Sequence, residues 1–306
     1  MKLGVVVPNQ GATIDGVAEQ LRRLEDLGVD SAWMPGIPNG PDILTLLAVA
    51  GRATQRIEIG SAVLPVLPRH PAALAVQALA VNDALGGRFT LGLGISHQKV
   101  MEGHLGLPFE RTVATMRDYL GILRPLLADH SVDYTGTRLR TRLWLDVTTT
   151  AGRAPGVLVA ALGPQMLRLA GRHADGTVTW MTGLSTIEDH VVPGIVAAAR
   201  DAGRPAPRIL AGLPVMLTGA AGEAAGRAAA AEVFAIYGRL PAYQAMFERE
   251  GAAGPGDIAL VGDEAALTAA LARVRDAGAT EFQATPFGGA DAVDRTIEFL
   301  AARPAG

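Results

Sequence analysis

RFTLGLGISHQKVMEGHLG, residues 88–106, is the stretch on which the rest of the chain turns. Residues 89–93 are a short apolar run of the length and kind that makes a buried strand. The run stops at Gly94, and Ser96, His97 and Gln98 follow before a helical pattern starts. In a parallel α/β fold the carboxyl end of a strand is where its backbone and first loop residues meet solvent. A strand that ends in glycine and releases polar side chains is therefore how such a fold presents a site. A plain strand-to-helix turn fits the same residues, so the neighbouring stretches decide.

Outward from that stretch the same unit repeats. On the amino-terminal side, residues 3–7, 31–34 and 56–64 read as strands. Each is followed by a helical pattern, over residues 14–27, 42–53 and 71–85. In the first of these helices Val17, Leu21, Leu24 and Leu27 recur at steps of three and four, and Gly28 ends it. On the carboxyl-terminal side, residues 112–127 form a helix with Met116, Tyr119, Leu120, Leu123 and Leu127 on one face.

Residues 130–155 break the rhythm with a polar stretch that reads as an insertion containing a hairpin. Alternation resumes with strands at 157–162, 177–180, 208–217 and 281–285 and helices at 165–173, 187–202, 220–237, 263–277 and 292–301. A second insertion falls at 240–256. The pattern predicts a TIM (β/α)8 barrel with insertions after strands four and seven, one domain over residues 1–306. An open doubly wound sheet would need a break near residue 150, where there is no linker.

Composition narrows the function. With 306 residues, 49% apolar, 19% charged and a net charge of −3, the chain has no electrostatic bias toward nucleic acid or membrane. It contains no cysteine, so disulfides, thiolate metal sites and cysteine nucleophiles are excluded. The opening MKLGVVVPNQ holds too short an apolar run for a signal peptide, and no run reaches the length of a membrane helix. The expected compartment is cytoplasmic and the expected partner a small molecule.

In a barrel the site lies at the carboxyl ends of the strands. Those ends are mostly small and apolar. His97 is the one strong ionisable candidate, which leaves a metal site without its further ligands, and no hydrolytic triad is assembled. A wide, glycine-lined mouth suits a flat cofactor that carries its own reactivity. Ala161-Leu162-Gly163-Pro164-Gln165 opens a helix whose free N–H groups suit a phosphate, although an ordinary helix start reads the same. Asn9 and Gln10 offer amides at the end of strand one, and Trp180 and Met181 offer walls at the end of strand six. His70 and Glu102 read as structural. Trp144, Tyr237, Tyr243 and Phe247 are pocket aromatics if the insertions border the mouth.

Three segments in order resemble the luciferase-like monooxygenase superfamily: IEIGSAVLPVLPRHPAALAVQA (57–78), GRFTLGLGISHQKVMEGHLGLPFER (87–111) and AALGPQMLRLAGRHADGTVTWM (160–181). They are most similar to its branch that uses the deazaflavin coenzyme F420. The resemblance implies a cis peptide at Ala62–Val63, on a bulge that supports the cofactor ring. It further implies cofactor contacts from Ser96, His97, Gln98, Lys99 and Val100 after strand four. At the start of helix five it implies contacts from Gly163, Pro164 and Gln165, and Ala161 and Met181, at the ends of strands five and six, are the further cofactor contacts expected. Asn9, Gln10 and Trp180 are the expected substrate contacts and His97 the expected catalytic residue. The implied activity is hydride transfer between the deazaflavin C5 and a small organic substrate, by a protein that is commonly a homodimer. An FMN-dependent monooxygenase and a non-catalytic flavin or deazaflavin carrier are the alternatives. Two departures matter: Met34-Pro35-Gly36-Ile37 stands where relatives carry an acidic or histidine residue, and His97 stands where others carry glutamate.

Overall fold

The computed structural model describes residues 1–302; residues 303–306, the end of the expected domain, lie outside them. The barrel strands are β1 (Lys2–Val6), β2 (Ser31–Met34), β3 (Glu58–Ser61), β4 (Phe89–Gly94), β5 (Gly156–Ala160), β6 (Gly176–Trp180), β7 (Arg208–Leu217) and β8 (Glu281–Pro286). Each pairs in parallel with the next. β8 pairs with both β7 and β1, which closes the ring and leaves these strands without an open edge.

Side chains alternate across each strand, so the bore fills in layers. At the amino end Arg208 donates to Glu281 at 2.6 Å and to Glu58 at 2.7 Å, and Thr90 donates to Glu58. Burial works against both charges there. The carboxylates nevertheless hold the Arg208 guanidinium above its ordinary pKa, and Arg208 holds Glu58 below its own. Above this plug Trp33, Leu158, Val178 and Leu210 form an apolar layer. Gly60 makes that layer possible, because a Cβ on it would lie 2.2 Å from Cζ3 of Trp33. The lower bore is thus closed, and only the carboxyl ends are left to form a site.

Both insertions are present, but they sit differently from one another. The hairpin Ser131–Thr135 and Arg140–Trp144 follows helix Thr112–Ala128 rather than a strand. It packs along the outer side of that helix, where Tyr134 donates to Asp118 at 3.0 Å. Thr141 on it lies 3.5 Å from His70 of the loop after β3, and Trp144 on it is 77% exposed.

The second insertion is wider than residues 240–256. Leu260–Gly262 pairs in parallel with Val215–Leu217 and extends β7 at its carboxyl end. Everything between them, including the alanine-rich helix Glu223–Val233 and helix Pro241–Glu250, leaves and returns at the mouth. The helix expected over 220–237 is thus part of the insertion. Helix Glu264–Asp276, which buries Leu267, Leu271 and Val274, is the one that leads back to β8.

Among the described residues no helix is long and apolar enough to cross a membrane, and no cluster of His, Asp and Glu forms a metal site.

Candidate functional site

β3 stops at Ser61 and resumes as the two-residue strand Leu64–Pro65, with the cis peptide Ala62–Val63 between the two pieces. Neighbouring strands hold this bulge by backbone: Ala62 N–H donates to Met34 O, and Gly36 N–H to Val63 O. Ser61 Oγ donates to Gly92 O and accepts from Gly92 N–H. A Cβ on Gly92 would lie 2.0 Å from Ser61 O, and one on Gly94 would lie 2.5 Å from Cγ2 of Val63. The glycines of β4 are therefore spaces for the bulge, not a nucleotide motif. Ala62 and Val63 are half-buried and pack against the apolar layer of the bore.

Beyond β4, Ser96 adopts φ 68°, in the left-handed region, and turns the chain into helix Gln98–Leu105. His97 is the residue before that helix, but its imidazole makes no capping bond and lies against Tyr243, ring centroids 5.6 Å apart. Burial pushes the His97 pKa below its ordinary value. The side chain of Gln98 donates to Glu102, which also accepts from Phe109 N–H, so Glu102 steadies this loop. Gln98 and Lys99 are exposed and Val100 half-buried. His70 accepts from Ala72 N–H at the start of helix Pro71–Ala84, the structural use expected of it.

After β5, Gly163 precedes helix Pro164–His173 with no side-chain cap, and there is open space where its Cβ would stand. Gly163, Pro164 and Gln165 are exposed and Ala161 is buried. His190 reaches Leu162 O at 2.7 Å from a π-helical turn, Ile187–Val191, and holds the loop in place. Met181 is fully buried in the apolar cluster under the second insertion, so its side chain presents no surface to the mouth. Asn9 is buried and donates to Pro35 O, whereas Gln10 is exposed in the turn that follows.

The second insertion roofs this face with aromatic rings. Trp180 meets Phe234 at 5.8 Å and Tyr237 at 5.7 Å, Tyr237 meets Tyr243 at 5.1 Å, and Phe234 meets Phe287 at 5.6 Å. Burial pushes the Tyr237 and Tyr243 hydroxyls above their usual range, so both stay protonated. Tyr237 and Tyr243 are two of the aromatics expected at the mouth if the insertions border it, and here they stack on Trp180 and His97. Phe234 carried no sequence signal, because its placement depends on where the insertion folds back; Phe287 was placed only as the last residue of a strand end, and His190 read as part of an ordinary helix over 187–202. A separate cavity of about 350 Å³ lies beside the mouth, between the loops after β2 and β3, lined by Ile37, Asp42, Leu64 and Arg69.

The fold and site define a (β/α)8 barrel with a charge-poor, aromatic-roofed mouth, the form expected of a protein that houses a flat organic cofactor. The luciferase-like monooxygenase family matches residues 1–281, and the chain belongs to that family. A relative from Mycobacterium tuberculosis named "Putative coenzyme F420-dependent oxidoreductase" is 34% identical over 194 residues, 58% of this chain. The chain spans about half the length of that relative, 54% of it. The coenzyme F420-dependent tetrahydromethanopterin reductase of Methanopyrus kandleri superposes with a TM-score of 0.84 over 98% of this chain and 97% of its own, at 20% identity. The FMN-bound oxygenating constituent of 3,6-diketocamphane monooxygenase from Pseudomonas putida superposes with a TM-score of 0.77 over 99% of this chain and 97% of its own, at 18% identity. At those identities the two structures speak for the fold alone, and it is a fold that serves two cofactors.

Proposed function

We propose that the protein is an oxidoreductase that binds coenzyme F420 and moves a hydride between the deazaflavin C5 and a small organic substrate. The observation that carries this reading is the Ala62–Val63 bulge, held by Gly92 and Gly94 and facing an aromatic-roofed mouth. The residues fit such a group. The bulge offers an apolar wall for a planar ring. Helices Gln98–Leu105 and Pro164–His173 both begin without side-chain caps, so the N–H groups of Gln98 and Lys99 on the one and of Gln165 and Met166 on the other, Pro164 having none, suit the phosphate of a cofactor tail. When bound, the deazaflavin supplies the hydride chemistry.

This chain's own residues then bind, orient and shield. Ala62 and Val63 back the ring; Ser96 to Val100 and Gly163 to Gln165 hold the tail. Trp180 and the insertion's aromatics keep water from the reacting face, and Asn9 lies where substrate contacts are expected. His97 is the proton-transfer group. Its lowered pKa leaves the imidazole neutral near pH 7, so at its ring nitrogen it accepts a proton from an alcohol in the oxidising direction. The homodimer implied by the family resemblance belongs to the same reading and is tested by light scattering.

Titration of the protein with F420 and with FMN, followed by absorbance and fluorescence, tests the cofactor. Binding of F420 in preference to FMN is the expected result. Tight FMN binding with no deazaflavin binding overturns it in favour of a flavin-dependent monooxygenase. Stoichiometric F420 binding without turnover on any alcohol, ketone or imine leaves a carrier.

A further inference from the structure

Two polar atoms at the upper end of the bore, Gln283 Oε1 and Thr285 Oγ1, are buried and make no hydrogen bond to the protein, and beside them the buried Trp180 Nε1 has only the Tyr237 hydroxyl of the roof within reach, without a well-aligned hydrogen bond to it. They sit on β6 and β8, the two strands that flank β7. Gln283 and Thr285 alternate with Glu281, whose carboxylate lies in the bore against Arg208, so all three share its inner face. Between the two strands stands Gly212. A Cβ there would lie 3.2 Å from Cε3 of Trp180 and 3.8 Å from Cδ of Gln283. With Thr179 O only 2.7 Å from the same point, the two side chains pack over the bare backbone of Gly212, and Phe234 and Tyr237 pack against the Trp180 ring.

A buried donor or acceptor without a partner costs about 1–3 kcal/mol, and native proteins keep few of them without a use. Here an indole N–H donor, an amide oxygen acceptor and a hydroxyl stand on the inner faces of β6 and β8, above the apolar layer of Trp33, Leu158, Val178 and Leu210. The strand ends around them, Pro8-Asn9-Gln10, Ile95-Ser96-His97, Ala161-Leu162-Gly163 and Thr285-Pro286-Phe287 among them, carry no Asp, Glu, Lys or Arg. A charged group placed there would be desolvated without a counter-charge.

We infer that Trp180, Gln283 and Thr285 form the polar end of the substrate pocket and select an uncharged molecule that carries a carbonyl or hydroxyl on an apolar body. The inference rests on the oxidoreductase reading only for calling the ligand a substrate, because binding is measurable without cofactor.

Acetophenone and 4-acetylbenzoate share a ring and a carbonyl and differ by one carboxylate. Calorimetric titration of each into the cofactor-free protein is expected to show acetophenone binding at least tenfold more tightly. The variants Gln283→Leu and Thr285→Val, and Trp180→Phe as the variant least disturbing to packing, are expected to weaken acetophenone about five- to tenfold each, with melting temperatures close to wild type. Equal affinity for the two probes overturns the inference. So does unchanged acetophenone binding in all three variants, which means the polar atoms serve bound water only. Failure of F420 to bind the wild-type protein overturns the cofactor reading alone, since the probe comparison does not use it.

Discussion

The His97 and Tyr243 rings lie 5.6 Å apart at an interplanar angle of 54° and so join the loop after β4 to the insertion that follows β7. The two residues are far apart in sequence, and each reaches the mouth from a different side. Their contact turns two separate loops into one wall: Tyr243 in turn stacks edge-on with Tyr237, and Tyr237 with Trp180 of β6. Helix Pro241–Glu250, which carries Tyr243, is anchored at its far end by Glu250, which accepts from Thr186 N–H and Oγ1 at 2.7 Å.

Truncating Tyr243 breaks this wall at its centre. Tyr243→Ala is expected to destabilise the protein by about 3 kcal/mol, the ordinary cost of removing a buried aromatic ring. Tyr243→Phe keeps the ring and is expected to melt close to wild type. Differential scanning calorimetry of both variants checks this, and equal melting temperatures for Tyr243→Ala and wild type would show that the roof contributes nothing to packing.

The pH dependence of His97 has a definite sign. Burial depresses its folded-state pKa, so the unfolded chain takes up its proton first as pH falls. The stability linked to His97 is therefore fully present above its unfolded value near 6.5 and is lost as pH falls through the depressed folded value. If the neutral imidazole accepts the proton during alcohol oxidation, kcat/KM for that direction falls over the same acidic window. A titration of the ring by NMR locates the folded value. His97→Gln is expected to remove this acidic limb from the rate profile, and a limb that persists in the variant assigns the proton transfer elsewhere.

Gly92 and Ser61 offer a third test. Gly92→Ala would force a methyl group to within 2.0 Å of Ser61 O, which is backbone and cannot swing aside. The expected outcome is a loss of about 1–3 kcal/mol from overpacking, together with at least a tenfold loss of F420 affinity as the Ala62–Val63 bulge shifts. Thermal melts and fluorescence titration measure the two effects separately. A variant that keeps full affinity would mean that the bulge is not the ring's support.

How much of this was legible beforehand follows from locality. β2 and β7 were readable to the residue, because Ser31–Met34 and Arg208–Leu217 are apolar runs bounded by charged or glycine-rich turns. The Ala62–Val63 position and the exposed helix start at Gly163 followed from family resemblance and strand order. What could not be read was whatever depends on a long return of the chain. Helix propensity made Glu223–Val233 look like a unit of the barrel, yet it buries only Gly226 and Ala230 and belongs to the roof. Likewise the polar hairpin gave no sign of which surface it would cover, since its partner is Asp118, a lone carboxylate on the side of the helix away from Met116, Tyr119, Leu120, Leu123 and Leu127 that reads as a solvated charge. Gln283 and Thr285 show only a period of two with Glu281, which any strand displays.

Asp118 supplies the last test, because it separates the outer side of the barrel from the mouth. Its carboxylate is fully buried and accepts from Tyr134 Oη, Arg138 N–H and Leu139 N–H, the groups that seat the hairpin on helix Thr112–Ala128. Gly136 lets the hairpin tip close over it, since a Cβ there would lie 2.3 Å from Cγ of Asp118. Burial opposes ionisation, but these hydrogen bonds outweigh it and hold the carboxyl below its ordinary range. The stabilisation is thus present above the unfolded carboxylate value near 3.9 and lost as pH falls through the folded one. Asp118→Ala leaves the hairpin's N–H groups without their acceptor and is expected to cost about 2–4 kcal/mol. It is also expected to remove part of the acid-side slope of stability while leaving F420 affinity within twofold. Denaturant melts across pH, with cofactor titration alongside, read both. A variant that loses cofactor affinity in proportion to stability would show that the hairpin acts on the mouth through the helix it covers.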